Sequence, residues 1–309
     1  MKAFSSALFP LPLPEGHPFP MRKYARLREI LIEDAIVAPG DLLDAPLAST
    51  EDLVRVHDAA YVRRVDGGGL SGRELRRLGF PWSHEMAVRA RASVGASLAA
   101  TRAALAEGFG ASLAGGTHHA HRDFGAGYCV YNDFAVAAAA LLAEGAVSRI
   151  LIVDLDVHQG DGTARILAEE PRVFTFSVHG RDNFPTRKAA SDLDVELPTG
   201  TRDAEYLDAL AESLGAVHAR FGAPELVLYL AGADPHEDDR FGRLKLTRHG
   251  LARRDAMVFG SFTGVPVAVA MGGGYGPDVE VVARIHASTI ATGAARALPR
   301  AAAAPPTNA

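Results

Sequence analysis

The residues at positions 150–162, ILIVDLDVHQGDG, combine an apolar run with a cluster of ionisable side chains. The run has the composition of a buried strand, and Asp154, Asp156 and His158 occupy every second position from its end. Side chains at i, i+2 and i+4 of a strand project to one face, so this spacing predicts that the three converge. Ionisable groups crowded at the end of an apolar strand are costly without a cation or hydrogen bonds to balance them. The pattern therefore indicates a divalent metal site.

Asp234, in the segment AGADPH, is predicted to complete this site. With Asp156 and His158 it gives two carboxylates and one imidazole, which leaves coordination positions for water and a substrate oxygen. Such a metal should be a weaker Lewis acid than one held by three neutral histidines, so further catalytic groups are expected. Taken singly, the residues have simpler interpretations. His158 fits a hydrogen-bonded core histidine at a strand-end turn, and Asp234 fits a turn aspartate before proline.

The adjacent histidines His118 and His119, in the segment AGGTHHAH, are candidates for the additional groups. Asp154 and Asp161 could fix the tautomer and basicity of these imidazoles through His–Asp hydrogen bonds. A histidine held in this way suits a general base for water and a general acid for a leaving amine. Tyr275, after three glycines, could donate a hydrogen bond to a developing oxyanion. The alternatives are surface polarity for the histidine pair, a helix N-cap for Asp161 and a packed aromatic for Tyr275.

Apolar segments alternate with helix-like segments over most of the chain, which predicts a parallel sheet with helices on both faces. Strands are predicted over residues 148–153, 173–178, 226–230 and 265–271. Helices are predicted over residues 21–33, 84–106, 134–144, 163–169, 203–221 and 251–262. Polar residues follow each of the four strands, and ligands of open α/β sheets bind at the carboxyl ends of the strands. We therefore expect one α/β domain with its active site at that edge.

Composition restricts the classes of function. The 309 residues are 48% hydrophobic and carry a net charge of −5, with no basic block that would bind nucleic acid. The single cysteine, Cys129, excludes an intramolecular disulfide, and no apolar run reaches the roughly 20 residues of a membrane span. Prolines at positions 10, 12 and 14 interrupt any signal-peptide core. A cytoplasmic protein without a membrane or nucleic-acid partner is expected.

Several ordered motifs resemble the zinc-dependent histone deacetylase family of the arginase/deacetylase superfamily. They are GGTHHAHRDFGAGYCVYND, DLDVHQGDG, FSVHG, AGAD and GGGY. Three further stretches, PLPEGHPFPMRKY, LGFPWS and NFPTRKAASDLDV, resemble its small bacterial and class IV-like branch. The resemblance implies a single-domain arginase/deacetylase-type α/β fold with a central parallel sheet. We expect a catalytic domain over residues 1–291 and a disordered Ala/Pro-rich tail over residues 292–309.

The resemblance also implies a role for each candidate. Zinc would bind Asp156, His158 and Asp234, with ferrous iron as the alternative that an oxygen-rich ligand set leaves open. His119 with Asp161 would be the general base and then acid, and His118 with Asp154 the electrostatic partner. Tyr275 would polarise the acyl carbonyl. A structural potassium ion is implied as well, bound through the backbone carbonyls of Asp154, Asp156 and His158 together with Ser177 and Val178.

A narrow tunnel for the acyl-lysine stem is implied by the same motifs. Gly127 and Tyr128 would form one wall, with Phe184 opposite and Phe241 nearby, although the two phenylalanines would also suit core packing. Tyr128 departs from the family pattern, which usually has Phe there. The acidic run at residues 237–239 could favour a cationic peptide or polyamine at the rim, or be a solvated loop.

The implied activity is hydrolysis of an amide. The protein would remove acetyl or longer acyl groups from the ε-amine of lysine in proteins or peptides, with a divalent metal activating water. A small acylated amine such as an acetylpolyamine is the alternative substrate. A non-catalytic acyl-lysine-binding relative is a weaker alternative, because no ligand is missing and Tyr275 is present. Binuclear ureohydrolase chemistry would need more ligands than the sequence offers.

Overall fold

Eight strands form one sheet, and every neighbouring pair in it is parallel. The fold is described for residues 1–295 of a computed structural model. The strands are β1 (Lys2–Ser5), β2 (Leu42–Asp44), β3 (Phe109–Ser112), β4 (Ile150–Asp154), β5 (Val173–Gly180), β6 (Leu193–Leu197), β7 (Leu226–Leu230) and β8 (Val267–Ala270). Their order across the sheet is β2-β1-β3-β8-β7-β4-β5-β6.

Helices make most of the connections. They are α1 (Arg22–Glu33), α2 (Thr50–Val54), α3 (Ala59–Asp66), α4 (Gly72–Leu78), α5 (His84–Glu107), α6 (Asp133–Ala143), α7 (Asp161–Leu167), α8 (Asp203–Phe221), α9 (Arg248–Ser261) and α10 (Val279–Ala294). Side-chain caps fix several of their starts: Ser71 accepts a hydrogen bond from the backbone N–H of Glu74, and Asn132 from that of Ala135. No helix in the described residues is both long enough and apolar enough to cross a membrane.

Successive side chains of the central strands point alternately to the two faces of the sheet, and both faces are buried. Leu151 and Val153 of β4 pack into a core shared with α1, α8, α9 and α10. Ile150 and Ile152 of the same strand pack into a second core with α3, α5 and α6. Strands buried on both faces are nearly continuously apolar, which is why they stand out in the sequence. The predicted single-domain α/β fold, a parallel sheet covered on both faces, is confirmed.

The sequence pattern did not predict several of these elements, among them four short strands and one helix. The strands are β1, β2, β3 and β6, which are three to five residues long. So few residues give little periodicity to detect. The helix is α10, whose Val-rich beginning has poor intrinsic helix propensity. This helix reaches Ala294, so the tail predicted from residue 292 begins inside it, and residues 296–309 lie outside the described residues.

The carboxyl ends of three central strands, β4, β7 and β8, are level with one another. Asp154, the last residue of β4, pairs with Ser177 of β5 and Leu230 of β7, and Leu230 pairs with Ala270 at the end of β8. The strand-spacing argument for Asp156 and His158 was wrong in one respect, since β4 ends before them. They lie in the loop that follows, so loop contacts rather than the pleat of a strand set their positions.

Candidate metal centre and active site

Asp156, His158 and Asp234 bring three potential metal ligands together, one atom from each, all within 4.8 Å of one another. His158 Nδ1 lies 3.0 Å from Asp156 Oδ1 and 3.2 Å from Asp234 Oδ2. Ligand atoms of a tetrahedral site with bonds of about 2.0–2.1 Å lie about 3.3 Å apart. The separations within this triad match such a site.

The backbone around the triad fixes both carboxylates. Asp156 Oδ2 accepts a 2.6 Å hydrogen bond from the N–H of Gly273, and Asp234 Oδ1 accepts one of 3.0 Å from Val157. Position 273 requires glycine because a Cβ there would collide with Asp234 Oδ2. One oxygen of each carboxylate is therefore held by the protein while the other faces His158.

The triad fits a divalent cation. Asp234 Oδ2 is buried and makes no hydrogen bond, although His158 Nδ1 is close to it. Burial raises the pKa of Asp234 to about 7, and the neighbouring charge of Asp156 acts in the same direction. Burial opposes protonation of His158, yet the two carboxylates raise its pKa to about 10. Two buried carboxylates in contact demand positive charge between them, and a cation supplies it.

Each of the two adjacent histidines is paired with an aspartate. His118 Nδ1 lies 2.7 Å from Asp154 Oδ2, and His119 Nδ1 lies 2.8 Å from Asp161 Oδ1. Burial disfavours charge on His118, but Asp154 and Asp156 raise its pKa to about 9. Burial, together with the charge of His118, lowers the pKa of His119 to about 3. The pair is thus differentiated into a protonated imidazole and a neutral one that can accept a proton.

Asp161 is shared between two histidines. Its Oδ1 contacts His119, and its Oδ2 lies 3.0 Å from His121 Nε2. Burial raises the pKa of Asp161, but hydrogen bonds from both imidazoles outweigh burial and hold the pKa well below its usual range. Its carboxylate therefore does not cap α7, although Asp161 is the first residue of that helix.

Tyr275 follows the glycine loop, residues 272–274, which continues from β8. Burial raises the pKa of its phenol well above the usual range, so the hydroxyl stays protonated and can donate a hydrogen bond. The backbone N–H of Tyr275 donates a 2.6 Å hydrogen bond to Asp239 Oδ2. The ring packs 4.9 Å from Phe241 and 5.9 Å from Tyr128, measured between centroids.

Two cavities meet at these groups. An outer cavity of about 500 Å³ opens to the surface, and an inner cavity of about 70 Å³ lies behind it. Five residues line both cavities: His119, Gly127, Tyr128, His158 and Tyr275. The neutral histidine, the phenol and a triad member therefore border the junction between them.

The outer cavity leads to the inner one through a passage. The residues predicted for the substrate tunnel line this passage and the outer cavity. Gly127 has a φ of +51°, and a Cβ there would come 2.7 Å from the ring of His119. Phe184 packs edge-to-face on His119, with 4.8 Å between centroids. Phe184 and Phe241 are 46% and 39% exposed, so the alternative that they pack the core is wrong.

Two further groups of residues singled out in the sequence are those proposed for potassium and the acidic run at residues 237–239. Asp154 pairs in register with Ser177, next to Val178, so three of the five residues proposed for potassium lie on neighbouring strands, and Asp156 and His158 lie in the loop after β4. The acidic run 237–239 does not line the outer cavity. Asp239 is buried, and Asp238 and Asp239 both line a separate small cleft, so these two side chains do not form a rim around the outer cavity.

Sequence reasoning missed several residues that support the site. Lys23 of α1 is buried and directs its ammonium group towards the carbonyl oxygens of Gly272 and Gly274, at 3.4 and 3.3 Å. Arg254 of α9 donates to the carbonyl oxygens of Leu155, which directly precedes Asp156, and of Gly232, two residues before Asp234. Both occupy the apolar stripe of their helix, as Lys23 does four residues before Leu27. A charged residue on such a stripe was the available signal.

The fold and the site together define an α/β enzyme with a candidate metal centre at the carboxyl edge of a parallel sheet. A family model described as "Histone deacetylase domain" matches residues 17–292. The chain is 42% identical over 277 residues to an uncharacterized protein of Picosynechococcus, covering 89% of this chain and 92% of that protein. It is 33% identical to a histone deacetylase-like amidohydrolase of Pseudomonas aeruginosa, covering 80% and 68%.

A solved structure shows the same fold. The histone deacetylase homologue of Aquifex aeolicus superposes with a TM-score of 0.82 at 24% sequence identity, covering 96% of this chain and 85% of that one. The chain belongs to the histone deacetylase family. It is accordingly a hydrolase that acts on amide bonds, and zinc dependence is typical of the family.

Proposed function

We propose that the protein is a metal-dependent deacylase that removes acetyl or longer acyl groups from the ε-amine of lysine in proteins or peptides. The observation that carries this proposal is the meeting of the two cavities at His119, His158 and Tyr275. A passage lined by aromatic rings suits the apolar stem of an acylated lysine. The single cysteine of the chain supports a cytoplasmic location.

Asp156, His158 and Asp234 would hold zinc, and ferrous iron suits the same ligands. When bound, the metal supplies Lewis acidity towards the amide carbonyl and the attacking water. A structural potassium ion would bind the backbone carbonyls of Asp154, Asp156 and His158 with Ser177 and Val178. The pairing of Asp154 with Ser177 supports that second site.

The remaining groups would move protons and stabilise charge. His119 is neutral, and its Nδ1–H donates to Asp161, so Nε2 carries the lone pair that accepts a proton from water. The same nitrogen then protonates the departing lysine amine. His118, held by Asp154, contributes positive charge beside the reacting carbonyl. The phenol of Tyr275 donates a hydrogen bond to the oxyanion as it forms.

Gly127, Tyr128, Phe184 and Phe241 would surround the stem of the substrate. The left-handed backbone at Gly127 lets the chain pass close to His119 without a side chain in the way. The phenylalanines leave apolar surface exposed to water at the mouth of the outer cavity. Exposing apolar surface is unfavourable, and covering it with the four-carbon stem of the substrate would be favourable.

The test is amine release from a panel of acyl-lysine peptides and acetylpolyamines, by metal-loaded protein with and without a chelator. Chelator-sensitive release from the peptides is expected. Release from polyamines alone would replace the proposed substrate with a small acylated amine. No release from any member by protein carrying stoichiometric metal would overturn the proposal in favour of an acyl-lysine-binding role.

A further inference from the structure

The mouth of the outer cavity carries more positive than negative fixed charge. Arg76, Arg77 and Arg243 line it, and Asp182 is the one carboxylate among the described residues that line it. All three arginines are exposed, and within the described residues none forms an ion pair with a carboxylate. Asp182 already accepts a 2.7 Å hydrogen bond from Thr199. Unpaired cations at the entrance of a binding cavity are available to a ligand.

Backbone contacts attach the segment that carries two of these arginines to one wall of the passage. Arg76 and Arg77 are in the last turn of α4, where the helix dipole favours positive charge. The carbonyl oxygen of Arg77 accepts a 3.2 Å hydrogen bond from Gly127, and that of Leu78 accepts one of 2.7 Å from Tyr128. The Arg77 guanidinium also stacks 3.6 Å above the ring of Phe124.

The third arginine belongs to the opposite wall. The backbone N–H of Arg243 donates to Asn183 Oδ1 at 3.2 Å, and Asn183 Nδ2 donates to the carbonyl oxygen of Phe241 at 2.7 Å. These bonds connect the Arg243 segment with the segment that carries Phe184. Positive charge therefore flanks the entrance from both sides.

We propose that this entrance selects acyl-lysines that lie in acidic segments of proteins. The inference rests on the proposed function and names its substrate class. Carboxylates on either side of the acyl-lysine would meet the arginines of the two walls, whereas the free ammonium groups of a polyamine would be repelled. Exposed ion pairs are individually weak, so the selectivity is a sum over several contacts. It should appear mainly in the rate of association and diminish with salt.

The experiment compares three acetyl-lysine peptides of equal length whose flanking positions are Glu, Gln or Lys. We expect kcat/KM to fall in the order Glu, Gln, Lys, with roughly a tenfold span at low salt that shrinks at about 0.5 M NaCl. The combined variant Arg76→Glu, Arg77→Glu, Arg243→Glu should reverse the order. Arg253→Glu, an exposed position of α9 that lines neither cavity, should preserve it.

A binding measurement tests this inference separately from the proposed catalytic activity. Fluorescence anisotropy with labelled versions of the same peptides gives the preference without turnover. A tighter Kd for the Glu peptide that is lost in the triple variant supports the inference, even if no peptide is cleaved and the proposed function fails. Equal Kd and kcat/KM values for the three peptides, or a preference that survives charge reversal, would overturn it.

Discussion

Asp239 Oδ2 accepts a 2.6 Å hydrogen bond from the backbone N–H of Tyr275, while Oδ1 of the same carboxylate accepts hydrogen bonds of 2.9 Å from Phe241 and Gly242. One buried side chain thus connects the loop that carries the phenol to the loop that carries an aromatic of the passage. Asp239 lines neither cavity, so we expect it to act on Tyr275 as a positioning residue.

Replacing Asp239 should therefore reduce turnover without removing a reacting group. Asp239→Ala is expected to lower kcat roughly 10- to 100-fold, because a small displacement of Tyr275 misplaces its hydroxyl. Asp239→Asn keeps one acceptor oxygen and should recover part of the loss. Asp238→Ala is the matched control, since that side chain is 70% exposed. Steady-state kinetics on an acyl-lysine peptide measure the effect, and an Asp239→Ala enzyme with unchanged kcat would exclude the role.

Tyr275→Phe removes only the phenolic oxygen from the junction of the cavities. We expect kcat to fall about 10²- to 10³-fold, on the scale of a lost oxyanion donor. Metal content and thermal stability should stay at the wild-type level, because no ligand of the triad changes. Kinetics paired with metal analysis measure both, and turnover within twofold of wild type would contradict the assigned role.

Changes at the triad should instead act through the metal. His158→Ala and Asp234→Asn each remove one of three ligands, so both metal content and activity should be lost. His249→Ala, at an exposed position of α9, provides the control. Elemental analysis of purified protein reads out the stoichiometry. One metal per chain in the His158→Ala protein would show that the ligand set is wrong.

His121 should influence catalysis through Asp161. His121→Leu removes the second hydrogen bond to that carboxylate, leaving Asp161 less firmly oriented towards His119. We expect kcat to fall roughly tenfold with little change in KM, on the scale of a lost outer-shell partner. His121→Gln retains a donor and should restore most of the rate. The Nδ1–H proton of His119, observed by NMR, should shift in the Leu variant only, and an unshifted signal would count against the proposed link.

The sequence predicted the fold, and it pointed to the candidate site residues, for a physical reason. Fully buried parallel strands are apolar runs, and the chemistry of an open α/β sheet gathers where those runs end. Asp154, Asp156 and Asp234 each lie at such an end or shortly after it. The strands β1, β2, β3 and β6 are too short to form a recognisable apolar run, so the sequence did not predict them.

Residues that support the site from a distance were harder to predict. Asp239 sits in an acidic run that suggests a solvated loop, and its burial depends on contacts with residue 275, which lies 36 positions further on. The arginines at the mouth come from segments more than 160 residues apart in the sequence, at positions 77 and 243. Only the folded chain shows that these side chains share one entrance.

Lys23 in the first helix contacts the glycine loop at residues 272–274, and that first helix also packs against α10 near the end of the described chain. The hydrogen bond from Gly273 to Asp156 depends on the same loop. During synthesis, the candidate metal pocket cannot assemble until residues 272–274 have left the ribosome. Loading of the proposed metal would therefore wait for these residues, and a chain stalled before residue 273 would bind the ion poorly.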